Sequence, residues 1–462
     1  MSIATGALDR ILSHLRALVD ARRRGGKAKA AAASAVAVFY LALVFRQGRR
    51  PTLVCRRSGH NVRVLRALAD LIDRPYYPSW LTPNAHVNCL LGFAKRGITV
   101  SKTREFVRCL DGGNFALDWR NREQNQPDLP PDTPTLLVIH GLNGNSDEAC
   151  VLYSMENAHK RGWRAVAMNH RGCGGTLLTS GWAYNGAFTG DVRLAVNHIR
   201  GRYPDAPLYA VGYSLGASLL VKYLGEEGRN GHRPLAGAVS VSNPWNFEDN
   251  TVGKGHGNGL VATAMNKIYS LALTTGLKLA MKEHASNRFL RRRKEIDIIG
   301  SFRAVNLAEY DSAVIVPMWG YRDVEDYHRD ASSSRYLPDV RCPLLCINAE
   351  DDPICQADLF PLDTARRNPC VIFVSTAAGG HIGYGEGFIP WARQSWADRL
   401  ITKYFDALET ERAGCDKATS AAAAAAATDT ASLVPSGGGL STVEGGRRPP
   451  TLAAQETAKS RL

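Results

Sequence analysis

A serine between two glycines is the first candidate for chemistry in this chain. The string Gly-Tyr-Ser-Leu-Gly occupies residues 212–216, directly after the apolar run 208–211 and directly before a helical pattern at 217–224. A serine at a tight strand-to-helix turn exposes its hydroxyl, and the following helix points the positive end of its dipole at the site. The string alone is weak, but its context predicts that Ser214 is a nucleophile.

An acid and a histidine that could activate this serine follow it in the chain. An apolar run at 344–347 leads to the adjacent pair Asp351 and Asp352, and His381 lies after a later apolar run, within a Gly-Gly-His-Ile-Gly string. Serine, acid and histidine follow each other in this order where a nucleophile occupies such a turn. We predict that His381 is the base. We favour Asp352 as the acid because a Pro-Ile turn follows it directly, and Asp351 is the alternative.

Two backbone amides could complete the site. A His-Gly-Leu-Asn-Gly string begins at His140 and closes an apolar run. The loop at this position and the residue after the nucleophile supply the amides that bind an oxyanion, which assigns Leu142 and Leu215. His140 precedes the serine, so we interpret it as a loop-stabilising residue rather than the base. The residues predict acyl transfer through a serine nucleophile, with no metal and no organic cofactor.

Short apolar runs alternate with helical patterns in the elements that would position these residues. The runs lie at 136–139, 165–168, 208–211, 238–241, 344–347 and 371–374. Such alternation predicts an α/β fold with a mostly parallel sheet and helices on both faces. A turn at 111–114 predicts a β-hairpin over 106–120, which would add antiparallel strands at one edge. Residues 244–339 interrupt the alternation, and we interpret them as an inserted helical cap over the site.

Positive charge is concentrated at the N-terminus. The chain of 462 residues has a net charge of +14, and residues 1–74 contain 15 Lys or Arg against four acids. Residues 75–411 are close to neutral, whereas a nucleic-acid-binding domain carries a basic face of its own. We therefore predict no nucleic-acid partner, and we predict that the basic arm contacts a membrane surface.

Three regions follow from these patterns. Residues 1–50 form a basic arm, in which the uncharged apolar segment 30–45 is a candidate membrane anchor. Its helix would span about 24 Å, short of the ~30 Å of a bilayer core, so a single-pass anchor competes with an organellar targeting arm and a soluble protein. Residues 51–410 form the catalytic domain. Residues 411–462 are rich in Ala, Ser, Gly and Pro, which predicts a disordered tail.

Several motifs in a fixed order resemble a known family. They are the lead-in string at 82–88, the strings at 140–144 and 169–175, the turn around Ser214, and residues 348–354 and 379–384. Together they make residues 76–405 similar to the AB-hydrolase proteins. That family includes bacterial YheT-like hydrolases, plant embryogenesis-associated proteins and animal membrane-bound abhydrolase-domain (ABHD) lipid hydrolases.

The resemblance implies the α/β-hydrolase fold and the hydrolysis of carboxylic esters, often of glycerolipids or phospholipids. It maps the family's catalytic triad onto Ser214, Asp352 and His381, and the animal members imply an N-terminal membrane anchor. The string at 169–175 reads as a structural loop, in which Arg171 would pair with Asp191.

Two functions other than ester hydrolysis are compatible with this fold. A lipid acyltransferase on this fold would carry an acid five residues after a histidine near the oxyanion loop. Asn145 and Gly175 stand at that spacing after His140 and His170, which favours water as the acyl acceptor. A non-catalytic binding protein would usually lack a triad member, and all three are present here, although a fold alone does not establish function.

Overall fold

The computed structural model describes most of the chain from residue 48 onward. It covers residues 48–431 except 82–83, 95–97, 124–126, 249–259, 285–293 and 388–393, together with isolated positions between residues 13 and 42. The residues up to Glu409 form one compact unit and those from Thr410 form a second.

A nine-stranded sheet organises the first unit, in the spatial order β1-β9-β8-β7-β6-β4-β5-β3-β2. Neighbours from β5 through β4, β6, β7 and β8 to β9 pair in parallel, and β1, β2 and β3 pair antiparallel. The predicted α/β fold with a mostly parallel sheet is confirmed. The strands are β1 (Thr52–Val54), β2 (Lys102–Arg108), β3 (Asn114–Arg120), β4 (Thr135–Ile139), β5 (Arg164–Asn169), β6 (Leu208–Tyr213), β7 (Gly237–Val241), β8 (Leu344–Ala349) and β9 (Val371–Thr376).

Helices cover both faces of this sheet. On β4, Leu136 and Val138 belong to one buried cluster, whereas Leu137 and Ile139 belong to a second. Since successive side chains of a strand point to opposite faces, a strand buried on both faces is apolar throughout. The helices are α1 (Gly59–Ile72), α2 (Ala85–Ala94), α3 (Ala149–Lys160), α4 (Gly190–Arg202), α5 (Leu215–Arg229), α6 (Leu260–His284), α7 (Ile298–Arg303), α8 (Leu307–Tyr310), α9 (Val316–Trp319), α10 (Val324–Ala331), α11 (Leu362–Arg367) and α12 (Trp396–Ala431).

The sequence predicts the strands at one edge of the sheet but not the strand at the other edge. The predicted hairpin is present as β2 and β3, paired from Lys102 with Arg120 to Arg108 with Asn114. At the opposite edge, β1 was missed, because a strand of three residues has too short a pattern to recognise. It pairs with β9 across more than 300 positions of the chain.

The loop after β5 is structural, as expected. The guanidinium of Arg171 donates two hydrogen bonds to the carboxylate of Asp191, at 2.7 and 2.6 Å, and both side chains are buried. Arg171 also donates to Asp111 in the turn between β2 and β3. The bidentate pair therefore fastens this loop to α4 and to the hairpin.

A helical insertion lies between β7 and β8, within the segment predicted as a cap. It comprises α6 to α10, and a π-helical turn at Asp311–Ile315 separates α8 from α9. Asn306 and Asp323 start α8 and α10 as N-caps, each accepting a hydrogen bond from a backbone N–H three residues later. A separate buried cluster, which includes Leu277, Tyr310 and Met318, forms its core.

The last helix corrects one prediction. We predicted a disordered tail over 411–462, but α12 continues to Ala431. The prediction is wrong for 411–431 because the run of seven alanines from residue 421 combines low complexity with the highest helix propensity of any residue. Residues 432–462 lie outside the described residues.

The candidate membrane anchor at 30–45 lies largely outside the described residues. Within the described part of the chain, no helix combines the length and the apolar character needed to cross a bilayer.

Candidate active site

Ser214 occupies a strained turn between β6 and α5. Its backbone φ of 52° and ψ of −120° lie in a region that non-glycine residues rarely adopt. The flanking glycines permit this turn, because a Cβ on Gly212 would lie 2.4 Å from the carbonyl oxygen of Gly216, and one on Gly216 would lie 2.4 Å from that of His140. The turn presents the serine hydroxyl at the carboxyl edge of the sheet.

His381 and Asp352 meet this serine in one line of hydrogen bonds. His381 Nε2 lies 2.9 Å from Ser214 Oγ, and His381 Nδ1 lies 2.8 Å from Asp352 Oδ2. Both the imidazole and the carboxylate are buried. This geometry places the proton of the imidazole on Nδ1, facing the carboxylate, and leaves Nε2 to accept the serine proton.

The two adjacent aspartates have different partners. Asp352 accepts the backbone N–H groups of Ile354 and Cys355 through Oδ1, at 2.8 and 3.0 Å, so Oδ2 is directed at the histidine. Asp351 instead accepts the N–H of Gly380 at 2.8 Å, and burial raises the pKa of its carboxyl to about 6. The structure therefore brings Asp352 to His381, whereas Asp351 holds the loop before it.

Two cysteines that the sequence analysis did not single out surround the histidine. The backbone N–H of His381 donates to Cys89 Sγ at 2.9 Å, and Cys355 Sγ lies 3.7 Å from Nδ1. Burial raises the pKa of both thiols well above the ordinary value, which keeps them neutral. They fill space around the imidazole without adding a charge that would compete with Asp352.

His140 does not contact the serine hydroxyl. It is fully buried, and its Nδ1 donates to the carbonyl oxygen of Gly141 at 2.8 Å while its Nε2 accepts the N–H of His170 at 3.2 Å. Burial lowers the pKa of His140 to about 4, so the ring is neutral. Both ring nitrogens are engaged in holding the loop.

The proposed oxyanion residues lie at the same cavity as the serine. Leu142 and Leu215 line it together with Ser214 and His381. The N–H of Leu215, the first residue of α5, has no acceptor within its own helix, as at every helix start. The loop that carries Leu142 is tied to the cap through Asn143, whose side chain donates to the carbonyl oxygen of Leu273 at 2.9 Å.

Glu148 is a further acidic residue at this loop. It lines the cavity, and the nearby backbone N–H of Gly141 partly offsets the effect of burial on its pKa. A Cβ on Gly144 would lie 2.6 Å from its carboxylate, so the glycine leaves room for it. Burial raises the pKa of Glu148 from 4.5 to about 7. No sequence pattern marks Glu148 as part of the site, because an acid near a loop is usually solvated.

Replacement of Glu148 by glutamine is expected to stabilise the protein at alkaline pH. Between its unfolded pKa of 4.5 and its folded pKa of about 7, the folded state binds more protons than the unfolded chain, so stability declines as the pH rises. Glutamine has nearly the same shape as glutamate but carries no charge. The free energy of unfolding of Glu148→Gln, measured relative to that of the parent protein, should increase by about 2 kcal/mol between pH 5 and pH 8.

Urea unfolding of both proteins at the two pH values measures this difference. The control is Glu325→Gln, because Glu325 is exposed on α10 and remains solvated in both states. A Glu148→Gln variant whose stability runs parallel to that of the parent protein would contradict the buried position of the carboxyl.

A large cavity opens above Ser214, beneath the helical insertion. Its volume is about 790 Å³, within the range of pockets that enclose small organic ligands. Most of its lining is apolar, from Leu142, Leu215, Pro244, Phe247, Leu271, Leu273, Leu277, Val305, Leu307, Ala308, Ile315, Ile354 and Ile382. The arrangement suits a long apolar group whose reactive carbon lies at the serine.

The mostly parallel sheet, with a serine on the turn after β6 and an acid and a histidine on the loops after β8 and β9, defines the α/β-hydrolase class. Residues 134–388 match the family described as having the alpha/beta hydrolase fold.

Curated relatives identify a group within this class to which the chain belongs. The chain is 34% identical to the embryogenesis-associated protein EMB8 of Picea glauca, over 75% of either chain. It is 32% identical to the phospholipase ABHD3 of Mus musculus, over 81% of this chain and 87% of that one. It is also 33% identical to a monoacylglycerol lipase of Saccharomyces cerevisiae, over 59% and 60%. The chain is an ester hydrolase and belongs to the EMB8-like and ABHD3-like group of the α/β-hydrolase family.

Proposed function

We propose that this enzyme hydrolyses carboxylic esters of lipids through a triad of Ser214, His381 and Asp352. The observation that carries the proposal is the continuous hydrogen-bonded line from Ser214 Oγ through His381 to Asp352, at the base of a mostly apolar cavity. A hydroxyl is a weak nucleophile unless a base takes its proton, and this line supplies the base and the group that orients it.

The first half of the reaction forms an acyl-enzyme. Ser214 Oγ attacks the ester carbonyl carbon while its proton passes to His381 Nε2, and the π electrons of the carbonyl move to its oxygen. The N–H groups of Leu142 and Leu215 bind this oxyanion. The carbon–oxygen bond to the alcohol then breaks, and His381 returns the proton to the leaving alkoxide. Asp352 stabilises the imidazolium throughout.

Water completes the cycle. His381 Nε2 takes a proton from a water molecule, whose oxygen attacks the acyl carbon. A second oxyanion forms at the same amides and collapses, breaking the bond to Ser214 Oγ. The proton on His381 returns to this oxygen, and a fatty acid is released.

Lipid esters are the substrate class that the cavity favours. Burial of each methylene group contributes roughly 0.8 kcal/mol, so an apolar cavity of this size selects long acyl chains over short ones. The names of two relatives, a phospholipase and a monoacylglycerol lipase, agree with this class.

A substrate panel tests the proposal. The purified full-length chain is assayed with monoacylglycerols, with phosphatidylcholine in vesicles and with acetyl and butyryl esters. We expect kcat/KM for long-chain lipid esters to exceed that for short esters by at least about tenfold, the effect of two or more buried methylenes. Hydrolysis of the short esters alone would contradict the lipid assignment.

We also propose that the N-terminal arm holds the enzyme at a membrane. Residues 1–50 contain ten Lys or Arg against two acids, and segment 30–45 has no charge. Anionic lipids attract such an arm, and an apolar segment can insert between them. Attachment and catalysis should then be separable.

Washing of membranes from cells that express the full-length chain tests this attachment. We expect the protein to resist high salt and to be released by detergent, because an inserted segment is not displaced by charge screening. A variant that lacks residues 1–47 should be recovered without membranes and still hydrolyse a soluble ester. Quantitative release of the full-length chain by salt would contradict insertion.

A further inference from the structure

A carboxylate and an imidazole face each other in the helical insertion above the serine. His328 Nε2 donates to Asp311 Oδ2 at 3.0 Å, and the side chains are 16% and 12% exposed. Both residues line the cavity that contains Ser214. Neither belongs to the hydrogen-bonded line of the triad.

The pair shares its cavity with the proposed oxyanion residues Leu142 and Leu215. Tyr327, which precedes His328 on α10, accepts the backbone N–H of Gly186 at 3.0 Å. A Cβ on Gly186 would lie 3.1 Å from both the Tyr327 hydroxyl and a methyl group of Leu215. Gly186 therefore lies between the Tyr327 hydroxyl and the side chain of Leu215, the residue that follows the nucleophile.

Stability alone gives no reason for this pair. Removing a carboxylate and an imidazole from water costs several kcal/mol in general, and one mutual hydrogen bond recovers little of it, so apolar residues of similar size are often more stabilising. Burial raises the pKa of Asp311, and the hydrogen bond from His328 opposes that rise. Asp311 also begins the π-helical turn, a distortion that often occurs at functional sites.

The pair offers hydrogen-bond acceptors to the cavity. In the tautomer that donates Nε2–H to Asp311, Nδ1 of the His328 ring is an acceptor. Among the described residues, neither this Nδ1 nor Asp311 Oδ1 has a hydrogen-bond partner. Acceptors of this kind suit hydroxyl groups, which donate, and disfavour a phosphate or a carboxylate.

We propose that the Asp311–His328 pair binds the free hydroxyls of the alcohol part of the ester, and so selects glycerol monoesters over esters without hydroxyls. The acyl part of a lipid ester is apolar, so the hydroxyls belong to the alcohol. This inference rests on the proposed lipid ester hydrolysis and adds the part of the substrate that the cavity recognises.

The positively charged side chain of Lys267 also lines the cavity, but it does not alter the proposal that the pair binds hydroxyl groups. Lys267 is exposed on α6, so water screens its charge. Asp311 is buried, where an unscreened carboxylate governs which polar group can enter.

Paired substrates test the proposal. The full-length chain and Asp311→Asn are assayed with a 1-monoacylglycerol and with the methyl ester of the same fatty acid. We expect the parent protein to prefer the glycerol ester by about ten- to a hundredfold in kcat/KM, as for a hydrogen bond to a charged group. Asp311→Asn should lose this preference while methyl ester hydrolysis changes less than about threefold, because an amide nitrogen replaces an acceptor.

Two further variants keep the test decisive. His328→Gln retains a donor for Asp311 but removes the Nδ1 acceptor, so it should reduce the same preference even if Asp311→Asn fails to fold. Glu325→Gln, exposed on the same helix as His328, should retain the preference. Circular dichroism verifies folding of each variant.

Three results would overturn the proposal. They are an equal rate of the parent protein on both esters, an equal loss on both esters in the folded variants, and an unchanged preference for the monoacylglycerol in both folded variants. If lysophosphatidylcholine, assayed in parallel, is the only substrate whose hydrolysis falls in the variants, the pair recognises an ammonium group instead. Failure of the parent protein to hydrolyse either ester would instead overturn the proposed function, and this inference with it.

Discussion

Replacement of Ser214 by alanine is expected to abolish ester hydrolysis, with a fall in kcat on the order of 10⁶. Without Oγ no acyl-enzyme can form, and only the amides and the cavity remain to assist a direct attack by water. The fold should be retained, because alanine fits the turn that glycines at 212 and 216 permit. Release of fatty acid from a monoacylglycerol measures the effect.

Ser218→Ala is the matched control for this variant. Ser218 lies one turn further along α5, is fully buried and donates to the carbonyl oxygen of Ala331 at 3.3 Å. Its loss removes a structural hydrogen bond without touching the cavity, so kcat should stay within a few-fold of that of the parent protein. A Ser214→Ala protein that retains a tenth of the activity would refute the assigned nucleophile.

Replacement of Asp352 by asparagine is expected to lower kcat by about 10⁴, as in serine protease triads. The N–H groups of Ile354 and Cys355 hold one side-chain oxygen in place, so the amide nitrogen of asparagine would face His381. That nitrogen donates, which forces the imidazole proton onto Nε2. The ring could then no longer accept the proton of Ser214.

The variant Asp351→Asn shows which of the two adjacent acids orients His381. An asparagine oxygen can still accept the N–H of Gly380 that Asp351 binds, so the loop should persist and kcat should change by less than about tenfold. Steady-state kinetics of both variants on one soluble ester are sufficient. The reverse order of effects would mean that Asp351 is the acid.

The fold was predictable because its signals are local. Each of the buried strands β4 to β9 contains a short apolar run, and the turn that carries Ser214 is marked by two glycines at which a Cβ would clash with backbone atoms. The order of serine, acid and histidine along the chain then followed from the topology of a parallel sheet. These parts of the candidate site could therefore be located by spacing alone.

The remaining parts depend on contacts between distant segments. Glu148, Asp311 and His328 line the cavity only because the insertion folds over the loop after β4, and no sequence pattern brings those segments together. Asp351 and Asp352 are neighbours with equal chemistry, and only the backbone amides around them distinguish their directions. Packing, rather than composition, decides which polar residues face a cavity.

Mapping of a covalent adduct tests the central claim most directly. The full-length chain is treated with a fluorophosphonate, which reacts with a serine that a neighbouring base activates, and the modified peptide is identified by mass spectrometry. We predict one adduct, on Ser214, that is absent from Ser214→Ala and strongly reduced in Asp352→Asn. An adduct on another residue, or labelling of Ser214→Ala at the rate of the parent protein, would contradict the account.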